Sequence, residues 1–404
     1  MASALNIASH GVTHPFLCQA INAYIVTEDP QIPKASSILR PVRVTAPPGS
    51  VVNSLFPAPV GVRYATVLRV LDAVLGALAQ ALPGRIPAAP AGGISPVVVS
   101  VLDPLTGRRH VQVVEPMLGG GGGRPTMDGL DAADSTAGYL RNTPVESIEA
   151  EVPIVVRRYH LIPDTGGAGA RADGVHGCDP TQGFLRNTPV ESIEADVPIV
   201  MRRYDLIPDS GGPGRHRGGM GIRMDFQVFH PDAIVTARGM ERFRLEPWGV
   251  AGGRAGTMGS CVVNRDTPRA CDIGKIDVLR LEPGDLVSIV SPSGGGHGDP
   301  RRRDPERVRA DVRAGFQSVE QARERYGVAL VDGAVDAEAT ARLRAAMPAP
   351  PDGPFDYGRR RAELERRWPP ALQDAAVRLL ESVPPAVRDW GKHQIYDRIQ
   401  AIAA

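Results

Sequence analysis

Apolar positions recur at helical spacing near the start of the chain, where Phe16, Leu17, Ala20, Ile21 and Tyr24 follow Thr13 and Pro15. Thr13 is placed to cap a helix whose first turn holds Pro15, where a missing N–H costs little. Between Arg63 and Leu82 the residues Val67, Leu68, Leu71, Val74, Leu75, Leu78 and Leu82 mark an amphipathic helix stopped by Pro83-Gly84. Residues 38–52 contain a short extended stretch, RPVRVTAP. Residues 97–102 and 110–114 flank DPLTGRR and predict a hairpin. From Gly219 to about Val290 the pattern is that of strands, at 224–229, 233–236, 261–264, 278–281 and 286–291. The last follows the turn Glu282-Pro283-Gly284-Asp285. Beyond Asp304 the pattern becomes helical. Asp304-Pro305 gives a cap with Pro at the first helical position, and Ser318 with Gln321 fits a capping box. Further helices are expected over 336–347 and in three segments from 356 to the end, after a linker, PAPPDG, at 348–353.

This order predicts a mixed α+β (α/β) protein: an N-terminal α/β segment over 1–118, a β-rich glycine-loop core over 119–300 and a helical extension over 301–404. At 404 residues, two or three domains are expected. The chain repeats itself inside the core. LRNTPVESIEAEVPIVVRRYHLIPD at 140–164 recurs as LRNTPVESIEADVPIVMRRYDLIPD at 185–209, differing at three positions, and a weaker match upstream pairs Asp128-Gly129 with Asp173-Gly174. Two copies are too few for a solenoid. They read as a recent local duplication or an assembly artefact, with one copy filling the native strand and the other looped out or packed outside.

Composition narrows the classes. With 46 basic and 45 acidic side chains the net charge is +1, which argues against nucleic acid or an anionic membrane as the main partner. No uninterrupted apolar run reaches the ~18–20 residues that span a bilayer, and the start lacks a signal-like region. Cys18, Cys178, Cys261 and Cys271 form no CxxC pair, as expected of reduced thiols in the cytoplasm. Glycine (45) and proline (38) are abundant, and the glycines at 119–123, 211–219 and 294–298 read as tight structural turns in preference to phosphate cradles.

Four groups of residues carry candidate chemistry. Asp173, His176 and Asp179, followed by Asn187, Glu191 and Glu194, place a histidine between carboxylates on a glycine-rich loop. That suits a general base or part of a metal shell, and equally an Asx-turn loop with solvated acids. His10 and His14 are spaced i, i+4 as metal ligands on a helix would be, although Gly11 and a helix start at Thr13 favour a cap-and-turn role. Arg242 and Arg244, interleaved with Phe243 and Trp248, suit an anionic substrate or a partner surface, or simply cover the aromatic edges. His297, within SPSGGGHGDP, reads as part of a closing turn. No GxSxG elbow, HExxH or P-loop is present.

Four segments, NTPVESIEADVPI, RRYDLIPDSGGPGRHRGGMGI, RFRLEPWGVAGGRAG and LEPGDLVSIVSPSGGGHGDP, occur in this order. Together they resemble the B-type polypeptide of the hydantoinase/oxoprolinase family (hydantoinase B), which includes N-methylhydantoinase, 5-oxoprolinase and the large subunits of acetone and acetophenone carboxylases. The resemblance runs from about residue 5 to 300 and implies a B-type subunit. It would hydrolyse a hydantoin or 5-oxoproline whose oxygen an A-type ATPase partner has phosphorylated, or alternatively serve in carboxylating a ketone. ATP would be bound by that partner, the hydantoinase A-type chain, and a divalent metal is implied for the full-length family. Asp173, His176, Asn187 and Glu191 are the residues carried over as catalytic. Family members also carry a further N-terminal region with Asp/His-rich segments, which nothing in this chain matches. A truncated, non-catalytic scaffold is the other reading of the same departure.

Overall fold

The computed structural model describes residues 4–9, 15–29, 31–32, 36–103, 105–132, 193–194, 197–237, 240–276, 278–350 and 353–403. Helix α1 (Pro15–Glu28) and helix α2 (Arg63–Ala81) match the helical spacing of their apolar positions. Ile7, Leu17, Ala46 and Val67 form the small core between them. The RPVRVTAP stretch pairs with no strand among the described residues. It is held through side chains, with the buried Asn53 donating from Nδ2 to the Ala46 carbonyl at 2.8 Å. By length and composition α2 could cross a membrane. One face of it is nevertheless packed, through Val67, Leu68, Leu71 and Ala79, and the buried Asp72 lies on the same helix.

The predicted hairpin forms from β1 (Ile94–Leu102) and β2 (Arg109–Leu118), with Leu102 opposite Arg109. Asp103 organises its loop by accepting from the Leu105 N–H at 2.9 Å and the Thr106 hydroxyl at 2.6 Å. The remaining core strands are β3 (Ile199–Leu206), β4 (Ile222–Val228), β5 (Ala233–Ala237), β6 (Gly249–Val250), β7 (Ser260–Val263), β8 (Cys271–Asp272), β9 (Val278–Leu281) and β10 (Leu286–Val290). They build two antiparallel sheets, ordered β2-β1-β5-β9 and β3-β4-β10-β7-β8. Val97, Val99 and Val101 of β1 alternate with less buried neighbours, as a half-buried strand requires. They share one core with Val235 of β5, Met224 and Phe226 of β4 and Val287 and Ile289 of β10, so the inner faces of both sheets are packed together. The turn at 282–285 is where the chain passes from one sheet to the other. Asp285 N–H donates to the Glu282 carbonyl at 3.0 Å, and Gly284 takes φ +95°, which only glycine adopts freely.

The duplicated segment resolves into an unequal division. Residues 128–132, which open the first unit, and residues 197–209, which close the second, both lie in the packed fold, the latter carrying β3. Ile193 and Val197 of the second unit are buried in the main core, and Glu194 accepts from the Met201 N–H at 2.7 Å. The first copy at 140–164 lies outside the described residues.

Helices follow as the caps predict: α3 (Pro305–Arg313), α4 (Val319–Tyr326) and, after the small hairpin β11 (Ala329–Val331) and β12 (Ala334–Asp336), α5 (Ala337–Ala346). Asp304, Ser318 and Asp336 each accept from a first-turn N–H. The PAPPDG segment leads into β13 (Phe355–Asp356), which pairs with β6, while Phe355 packs edge-on against Trp248 at 5.0 Å. Three further helices close the described chain: α6 (Gly358–Arg367), α7 (Pro370–Ser382) and α8 (Pro385–Ala403).

Candidate functional site

The glycine-rich segments do more than turn the chain, although 211–219 does double back on itself, the Gly218 N–H donating to the Gly212 carbonyl at 2.9 Å. Of the glycines at 119–123, 211–219 and 294–298, only Gly298 has positive φ. The segments run extended and side by side, and successive residues donate to different neighbours. Gly294, Gly295 and Gly296 N–H groups reach the carbonyls of Gly219, Ala89 and Arg254 at 2.9, 2.8 and 2.9 Å. Glycine is required because the backbones touch: a Cβ on Gly120 would lie 1.9 Å from the Gly219 carbonyl oxygen, and one on Gly294 1.8 Å from that of Gly121. These N–H groups are spent on neighbouring carbonyls, so they form no phosphate cradle.

Charged side chains collect where this bundle meets the first C-terminal helices. Arg303 is 1% exposed and lies directly after a short helical turn at Pro300–Arg302. Its Nη1 and Nη2 donate to the two oxygens of Asp128 at 2.6 and 2.8 Å, and Nη2 also to Asp311 of α3 at 2.8 Å. Arg217 makes the parallel arrangement with Asp131, at 2.6 and 2.9 Å. Burial alone would raise the Asp128 pKa, but the hydrogen bond and charge of Arg303, with Arg217 beside it, hold it below the usual carboxylate range. Tyr326 lies beneath the Arg303 guanidinium, 5.9 Å from ring centre to Cζ, fully buried, which pushes its phenol up.

Two histidines border this network. His216 and His297 exchange backbone hydrogen bonds at 3.0 and 2.9 Å, placing their rings 6.4 Å apart. His216 Nδ1 is 4.0 Å from Asp128 Oδ1. Burial lowers both imidazole pKa values, that of His297 to about 4, and both are therefore neutral near pH 7. His216 Nδ1 and His297 Nε2 are buried and have no hydrogen-bond partner among the described residues. A neutral imidazole with Asp128 beside it can take up a proton and have the resulting charge steadied. The arginines, by contrast, commit their terminal nitrogens to carboxylates and hold the bundle to the helices, while the Nε of each is buried with no hydrogen-bond partner among the described residues.

The structure brings few of the sequence candidates to this place. Asp173, His176, Asn187, Glu191, His10 and His14 lie outside the described residues. Arg242 is bonded within the fold through its guanidinium. Nε donates to the Pro90 carbonyl at 2.8 Å and Nη2 reaches the buried Asp72 of α2 at 2.5 Å. Arg244, two residues on, is exposed. Sequence reasoning missed Asp128, Asp131, His216 and Arg303. A faint signal existed, since at the 45-residue offset Asp128 matches Asp173 and Asp131 matches His176. The donors do not fit a metal centre: among the described residues no three His, Cys, Asp or Glu side chains converge on a common point.

Comparison with known proteins follows this geometry. The family model described as hydantoinase B/oxoprolinase matches residues 1–172 and 167–300. A protein of uncharacterised function from Methanocaldococcus jannaschii is 32% identical over 342 residues, covering 83% of this chain and 50% of its own. A protein described as the B-type polypeptide of a D-/L-hydantoinase, from Pseudomonas sp. strain NS671, is 28% identical, over 77% of this chain and 45% of its own. The crystal structure of the ATP-dependent caprolactamase from Pseudomonas jessenii superposes with a TM-score of 0.59 at 25% identity, over 81% of this chain and 51% of that one. The chain thus spans about half the length of the curated relatives it matches.

Proposed function

The chain belongs to the hydantoinase B/oxoprolinase family, and on that premise we propose that it serves in a B-type subunit that opens a cyclic amide of the hydantoin or 5-oxoproline kind. An A-type ATPase partner would bind ATP and phosphorylate the amide oxygen first. The observation that carries this reading is the family match across residues 1–172 and 167–300, supported by the relatives named for hydantoinase and caprolactamase activity. The chemistry is coherent. Phosphorylation of the amide oxygen makes the ring carbon electrophilic; water adds there, the C–N bond breaks as the nitrogen takes a proton, and a second water cleaves the resulting acyl phosphate to the acid and phosphate. In this chain the interlocked glycine bundle gives a rigid support. His216, neutral and 4.0 Å from Asp128, is the group placed to hold a proton at Nδ1.

The test is reconstitution. Co-purified with an A-type ATPase of the same family, the chain should convert 5-oxoproline, hydantoin or caprolactam to the ring-opened acid, with phosphate released in step, and neither chain should do so alone. A stable complex whose ATPase is active, yet opens none of these rings, would overturn the reading.

A further inference from the structure

Helices α6, α7 and α8 form a small three-helix unit with an apolar cavity between them that is open to solvent on one side, where Val377 is 52% exposed. Among its described side chains only Trp368, directly after α6, is buried, at 8% exposure. Leu364, Trp368, Ala376, Val377, Leu380 and Ile395 surround a cavity of about 250 Å³ between the three helices. Its polar lining consists of Gln373 and Lys392. Gln373 Nε2 is already committed to the Trp368 carbonyl at 2.7 Å. Lys392 is exposed while also lining the cavity, which puts it at the rim as the charged residue of the lining. Among the described residues it has no ion-pair partner, and none of the lining residues is acidic.

A void in so small a unit forfeits the contacts its lining would otherwise make, and apolar cavities of only about 150 Å³ already take up benzene. The chemistry of an occupant follows from the walls. Its body must be apolar, because apart from Gln373 and Lys392 the lining is aliphatic or the largely apolar Trp368 ring. Its head must be a single small anion, because Lys392 is the one charged residue in the lining; a phosphate would call for more donors. We propose that this cavity binds a small amphipathic carboxylate of the medium-chain fatty-acid class, with its hydrocarbon chain between Trp368, Val377, Leu380 and Ile395 and its carboxylate on Lys392 Nζ. This site is separate from the histidine pair and does not depend on the function proposed above.

The experiment uses the full chain with octanoate and with octanol, which shares the apolar body but lacks the charge, and follows calorimetry and thermal unfolding. Octanoate should bind at one site and raise the unfolding temperature, with octanol about tenfold weaker or more. Lys392→Gln should weaken octanoate about tenfold and leave octanol unchanged. Val377→Trp, which fills the cavity, should abolish binding while keeping the helical circular dichroism. If that variant fails to fold, Ala376→Leu provides the same test. Absence of saturable octanoate binding, or equal binding by the filled variants, overturns the proposal. So does a chain that dimerises through this face, with Val377→Trp dissolving the dimer and octanoate having no effect, since the cavity would then belong to a protein partner.

Discussion

Arg303 and Asp128 stand 175 residues apart in the chain and meet as a two-point pair, Nη1 to Oδ1 at 2.6 Å and Nη2 to Oδ2 at 2.8 Å. The pair ties the glycine bundle to the first C-terminal helices, because Arg303 also holds Asp311 of α3 at 2.8 Å and its carbonyl accepts from Arg344 of α5 at 2.6 Å. A planar guanidinium can serve two carboxylates at once, which a lysine ammonium does poorly.

Replacing Arg303 by Ala leaves Asp128 and Asp311 facing each other without their shared cation. The expected loss is about 3–5 kcal/mol of stability, the usual cost of breaking a buried pair by removing one partner. Urea unfolding of the two proteins measures it, and Arg303→Lys should recover only part of the difference.

Gly294 and Gly84 separate two reasons for glycine. A Cβ at Gly294 would sit 1.8 Å from the Gly121 carbonyl oxygen, against backbone that cannot yield, so Gly294→Ala should abolish cooperative folding. Gly84 has φ +74° and nothing within 4 Å of a built Cβ, so Gly84→Ala should cost only about 1–2 kcal/mol of left-handed strain. Thermal melts of both variants give the comparison.

Arg242 and Arg244 are expected to behave differently despite their shared motif. Arg242→Ala removes one of the two cations on the buried Asp72 carboxylate of α2, leaving Arg69 at 3.0 Å, and should destabilise by about 1.5–3 kcal/mol. Arg244→Ala changes an exposed side chain and should stay within about 0.5 kcal/mol. A substrate role for Arg242 would instead show as an altered KM with the melting temperature unmoved.

His297 gives stability a pH dependence of known sign. Burial, with His216 beside it, takes its pKa from 6.5 to about 4 in the folded chain. Between those values the unfolded chain binds a proton that the native one does not, so stability is complete above pH 6.5 and falls as pH drops towards 4. The contribution is about 2 kcal/mol once solvent screening is allowed for. His297→Gln should flatten this window, as guanidinium midpoints at pH 4.5 and 7.5 would show.

Much of the local structure was legible because its causes are local. Asp304, Ser318 and Asp336 cap their helices through neighbours two or three residues away, and the apolar period of α2 needed no partner to be recognised. The hairpin of β1 and β2 and the turn at Gly284 follow from alternation and turn chemistry in the same way. The glycine segments misled because glycine has two uses. Composition suggests positive φ, whereas here the residues are extended and the missing Cβ makes room for another backbone from far along the chain. The candidate site was hidden for a similar reason, since Asp128, His216, His297 and Arg303 share no motif and converge only when the bundle closes.

Sequence by itself determined the family, the mixed α+β class and the existence of two nearly identical copies of one segment. Those copies carry the same strand pattern, so no local preference distinguishes them. Tertiary structure places the described parts of each unit: Asp128 and Asp131 of the first are fixed by Arg303 and Arg217, while Ile193, Val197 and Ile199 of the second fill the core beside β4. Which copy a slot accepts is set by the contacts waiting there and by where the chain must go next, and neither is written in the repeated residues.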